Sequence, residues 1–119
     1  MSTAYVIVAG VAIVANFGSA AGDFAKLEFV LNNSAEVGLP PSWLPGLAAL
    51  KAAGAAGLLL GLLGVPLIGT AAAIGLVAFF IGAVLTHVRA RVFYNIGFPA
   101  AFLVLATATL VLGVLAGVS

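Results

Sequence analysis

The sequence predicts an all-α fold, a transmembrane four-helix bundle with a longer polar loop between its first and second helices. Three observations predict it. The chain is 65% hydrophobic and 6% charged, with a mean hydropathy of +1.36, whereas soluble domains are roughly a quarter charged. Four apolar runs, at about 4–21, 44–64, 66–86 and 95–118, each approach the ~20 residues needed to cross a ~30 Å hydrocarbon core. Every charged residue, Asp23, Lys26, Glu28, Glu36, Lys51, Arg89 and Arg91, then falls on one side of the membrane with the only histidine, His87. The 119 residues form one domain in this reading.

The first span covers about 4–21, ~27 Å at ~1.5 Å per residue. Its apolar run has the length of a signal-peptide core, but Met1-Ser2-Thr3 carries no basic residue and the run continues to Ala21, so a retained helix is expected. Asn16, Ser19 and Gly22 make its far end progressively polar. Asp23 either caps a short helix that follows or lies within a continued first span. The stretch to Val37 mixes charged and amide side chains with Phe24, Leu27, Val30 and Leu31. Gly38-Leu39-Pro40-Pro41 stops any helix, since proline lacks a donor and restricts its predecessor. Trp43 follows at the water boundary, where an amphipathic ring is favoured.

The second and third spans are separated by a residue or two and form a tight hairpin, with Pro66 in the first turn of the third. Ala53, Gly57 and Gly61 recur every four residues, beside Gly54 and Gly64, so backbones can approach closely and the second span is expected at the centre. His87 to Tyr94 is the second polar connection. The fourth span carries Pro99 in its first turns, where proline is tolerated. Lys26, Arg89 and Arg91 lie in the connections of one side, and the opposite turn and both tails lack basic residues. The expected location is therefore a bacterial cell membrane with charged loops cytoplasmic and both termini outside.

Candidate chemistry concentrates at that side. Lys51 lies about two turns inside its span, where an ionised lysine costs ~3 kcal/mol unless compensated. Either its stem snorkels to the interface, or it pairs with Asp23, Glu28 or Glu36. His87 either interacts with the partial negative charge of a helix C-terminus or serves as a proton carrier or a donor to a ligand carbonyl. A catalytic version uses Asp23 or Glu36 as base and Lys51 or His87 as acid, giving isomerisation, cyclisation or epoxide opening. Arg89, Arg91 and Lys26 are topology anchors or ligand contacts. Asn16 and Asn95, with Asn32 and Asn33, bind backbone carbonyls or order a polar ligand group. The aromatic set Phe24, Phe29, Trp43, Phe79, Phe80, Phe93 and Tyr94 supplies interface anchors or the walls of a pocket for a planar lipophilic ligand.

Several classes are excluded. A net charge of +1 gives no basic stripe for nucleic acid. With no cysteine, disulfides, thiolate nucleophiles and thiolate metal ligands are absent. One histidine and three scattered carboxylates show no metal-ligand spacing, and no motif supports haem ligation by His87 with Tyr94 or Met1. No serine triad, phosphate loop or dinucleotide fingerprint occurs, and no cofactor is named. Repeated halves and broken helices, which mark transporters, are also missing.

The chain resembles the DoxX-like family of small four-helix membrane proteins. The resemblance rests on Phe24-Ala25-Lys26-Leu27, the loop Glu36-Val37-Gly38-Leu39-Pro40, the helix from Leu47 to Leu58, and Gly82-Ala83-Val84-Leu85-Thr86-His87-Val88-Arg89. Lys51 departs from the pattern, near a position where members often carry glutamate. The resemblance implies a four-helix integral membrane protein, and DoxX-related proteins are linked with membrane redox assemblies and quinone reduction. Two functions are therefore expected as alternatives: a one-sided polar site for a lipophilic small molecule, or a non-catalytic subunit docking a redox enzyme. Self-association into a homo-oligomer is compatible with either.

Overall fold

A computed structural model describes residues 2–117; Met1 and the expected end of the fourth span at Val118 lie outside the described residues, as does the side chain of Phe29. The helices are α1 (Thr3–Phe24), α2 (Glu28–Glu36), α3 (Leu44–Leu62), α4 (Ile68–Arg89) and α5 (Gly97–Leu115), with a 3-10 turn at Pro41–Trp43. Four of them, α1, α3 with its preceding 3-10 turn, α4 and α5, are long and apolar enough to cross a membrane. The molecule extends 40 Å along its longest axis.

Local chemistry fixes the ends. Ser2 caps α1, its Oγ accepting from the Tyr5 amide at 3.1 Å, a contact worth ~1 kcal/mol. Helices α1, α2, α3 and α4 close alike, with a left-handed residue whose neighbour's amide reaches five residues back: Leu27 to Gly22, Leu39 to Ser34, Val65 to Leu60 and Val92 to His87. Gly38 and Gly64 supply that conformation at α2 and α3; Lys26 and Arg91 supply it at α1 and α4, at φ 51° and 57°. A non-glycine residue there costs ~1–2 kcal/mol, so both basic residues are turned outward by strained, hydrogen-bonded corners.

Several boundaries differ from expectation. Helix α1 runs on through Asp23, so Asp23 lies within the span and does not cap α2, whose N-cap is Leu27 without a side-chain hydrogen bond. The segment expected as a longer polar loop is largely taken up by α2 and the 3-10 turn. Pro66 precedes α4 instead of opening it, because Leu67 takes the left-handed N-cap conformation at φ 69°. Helix α4 continues through Arg89, leaving His87 inside its last turn, and α5 begins at Gly97.

The four spans form a ring in which α1 packs on α3 and α5, and α4 packs on α3 and α5. Neighbours are antiparallel, the up-down arrangement that short connections favour. Helix α3 is one member of this ring and not a central helix. Ala12, Ile13, Leu58, Ala73, Leu76, Phe80 and Ala106 form the core, while Leu85, Val104 and Val114 are among the apolar side chains left outward for lipid. The alternation of direction brings the end of α1, α2, the start of α3, the end of α4 and the start of α5 to one end of the bundle. The first residues of α1, the α3–α4 turn and the end of α5 occupy the other.

Candidate functional site

The polar end is built from a stripe on α1. Asn16, Ser19 and Asp23 are spaced three and four apart, so they share one helical face. All are inside the bundle: Asn16 and Asp23 are buried and Ser19 is partly so. A carboxylate in the last turn of a helix faces the negative end of the helix dipole and needs compensation. Lys51 supplies it: its ammonium pairs with Asp23 and donates to Ser19 Oγ at 2.6 Å. Lys51 is only 8% exposed, so the snorkelling alternative is not what its side chain does. Neither Glu28 nor Glu36 is its partner.

His87 approaches from α4. Its Nδ1 lies 2.9 Å from the Ala83 carbonyl one turn earlier, and its buried Nε2 has no hydrogen-bond partner among the described residues. Ser19, Asp23, Lys51 and His87, with Asn33 and Ser34 of α2, lie on the wall of a cavity of about 510 Å³. The rest of the wall is largely apolar, including Phe79, Phe80, Phe98 and Phe102. The volume lies within the ~300–1,000 Å³ range of small-molecule sites. Phe80 meets Phe79 edge-on at 5.0 Å and Phe102 at 5.1 Å, which fixes the aromatic floor.

The remaining sequence candidates separate from this cavity. Glu36 is exposed and accepts from the Tyr94 hydroxyl at 2.6 Å. Asn95 donates to Asn33 and keeps a buried carbonyl oxygen without a partner among the described residues. These two contacts tie α2 to the α4–α5 connection, over the polar end of the bundle. Asn16 donates to the Ala12 carbonyl at 2.8 Å, leaving its amide oxygen unpartnered, and does not line the cavity. Lys26, Arg89, Arg91 and Trp43 are exposed. Ser19, named from sequence only as part of the polar end of the first span, and Phe98 and Phe102 are not among the sequence candidates for the site. The i, i+4 relation of Ser19 to Asp23 was a usable signal for the first; nothing local distinguishes the two phenylalanines from lipid-facing ones.

The hydrogen bond to Glu36, then desolvation and charge repulsion, hold the Tyr94 phenol above its ordinary value of 10.0. The clasp is therefore complete at neutral pH and is lost as pH rises through that raised value, where phenolate and carboxylate repel. In Tyr94→Phe the amide hydrogens of 28–36 should exchange faster at neutral pH while α3 and α4 stay protected. Unchanged exchange by mass spectrometry would mean that this contact does not hold α2.

Four membrane-length helices around a cavity with a polar wall at one end define a small polytopic membrane protein. The profile of the DoxX-like family matches residues 7–109, and the chain belongs to the DoxX-like family. No curated protein and no solved structure matches it.

Proposed function

We propose that the protein binds a lipophilic small molecule with one polar head, held in the cavity at the polar end of the bundle. One observation carries this reading: a buried ion pair and an unpartnered histidine nitrogen share the wall of an otherwise largely apolar, ligand-sized cavity. A membrane interior penalises ionisable groups, so three of them around one space are better accounted for by a ligand head than by packing alone. An acid/base reaction on that ligand would use Asp23, Lys51 and His87; Glu36, engaged with Tyr94 on the outer surface, is outside the reacting set.

The test is to purify the protein from its membranes, extract it with organic solvent and compare the extract with bulk lipid by mass spectrometry. A species enriched on the wild type and depleted on Ala83→Phe, which fills the cavity wall, is the expected result. An extract indistinguishable from bulk lipid would overturn the reading. A co-purifying protein in place of an enriched lipophile would favour docking of a redox enzyme, with the exposed Lys26, Arg89 and Arg91 as its contact surface.

A further inference from the structure

We propose that the cavity's ligand carries a hydrogen-bond donor, an aliphatic or phenolic hydroxyl, and gives it to Nε2 of His87; this rests on the ligand-binding reading above. The argument is one of donor and acceptor matching. The Ala83 carbonyl has only lone pairs to offer, so the His87 nitrogen facing it, Nδ1 at 2.9 Å, bears the proton. In the neutral imidazole the other nitrogen is then a pure acceptor. That nitrogen is buried, has no partner among the described residues, and belongs to a side chain on the cavity wall that is 7% exposed.

A buried acceptor left unmatched forfeits its hydration with no return. The protein's own ammonium on that wall, Lys51, is engaged by Asp23 and Ser19. Ser19, Asn33 and Ser34 also lie on the wall and none of them donates to Nε2, while Phe79, Phe80, Ala83, Phe98 and Phe102 have no side-chain polar group to offer. A ligand hydroxyl supplies the missing proton, and its apolar body suits the phenylalanines. A ketone, aldehyde or ether would set a second lone pair against Nε2. This is the reverse of one of the sequence alternatives, that His87 is a donor to a ligand carbonyl.

His87 is the only histidine in the chain, so selective nitrogen-15 labelling reports this ring alone. In phosphatidylcholine nanodiscs, the full-length protein should give one proton-bearing nitrogen, Nδ1, and one bare nitrogen, Nε2. Three matched probes are added in turn: dodecanol, its methyl ether and dodecanal. Dodecanol should shift the Nε2 resonance and bind about tenfold more tightly than the other two, a difference of ~1.4 kcal/mol. In His87→Phe the three should bind alike; should that variant fail to fold, the wild-type resonances decide alone. A protonated Nε2 in the free protein, or ether or aldehyde binding as tightly as the alcohol, would overturn the donor assignment and leave the cavity reading standing. Failure of all three probes to bind, with no enriched species in the lipid extract, would remove both.

Discussion

Replacing Asp23 with leucine should cost about 3–5 kcal/mol of stability, because it leaves the Lys51 ammonium buried with only the Ser19 hydroxyl for company. The corresponding side chains are 10% and 11% exposed, so water cannot replace the missing carboxylate. Lys51→Met should be comparably harmful for the mirror reason: it leaves the Asp23 carboxyl buried without its partner in the last turn of α1, at the negative end of that helix. The double variant Asp23→Leu/Lys51→Met should recover most of the loss, since exchanging a whole buried pair for apolar side chains is often neutral or stabilising. Equilibrium unfolding in mixed micelles reads all three. Single variants within about 1 kcal/mol of wild type would mean that the pair is worth no more than an exposed one. The double variant also separates stability from function: a protein that folds as well as wild type yet no longer enriches a lipophile would assign the pair to the ligand.

That pair also marks how much of the site was legible in the sequence. A lysine two turns inside an apolar helix must be compensated, and Asp23 at the end of the preceding span is a partner that an antiparallel hairpin can bring within reach. The gathering of charge at one end followed from where the apolar runs stop. Glu36 and Tyr94 were also expected there, and they meet, but on the outer surface. Whether a polar residue beyond a span turns into the bundle or over it depends on the corner geometry at Lys26 and Arg91, where non-glycine residues adopt a conformation that sequence reasoning assigns to glycine. Of the two roles open to Asn16, a backbone carbonyl or a ligand group, its amide takes the first and is turned back to the helix carbonyl one turn earlier, an internal solution open to any amide in a span. Phe98 and Phe102 entered the cavity wall only through the packing of α5 on α4, a long-range relation with no local signature.

The opposite end of the bundle was legible as small residues but not as a particular joint. Tyr5 of α1, 2% exposed, is set against three glycines from three helices: Gly61 of α3, Gly69 of α4 and Gly113 of α5. A Cβ on Gly61 would come 2.7 Å from the Gly69 Cα and 3.2 Å from its backbone nitrogen. Backbone atoms of a second helix cannot rotate aside as a side chain can, so Gly61→Ala must push α3 and α4 apart. Overpacking of this kind costs typically ~1–3 kcal/mol, and here it outweighs the up to ~1 kcal/mol that alanine gains over glycine in a helix. Gly82→Ala in α4 is the internal control: its added Cβ meets nothing within 4 Å, leaving only the propensity gain. Unfolding measurements should therefore move the two glycine variants in opposite directions. If Gly61→Ala were as stable as Gly82→Ala, the α3–α4 crossing would not depend on backbone contact, and the hairpin would be held by its flanking side chains alone.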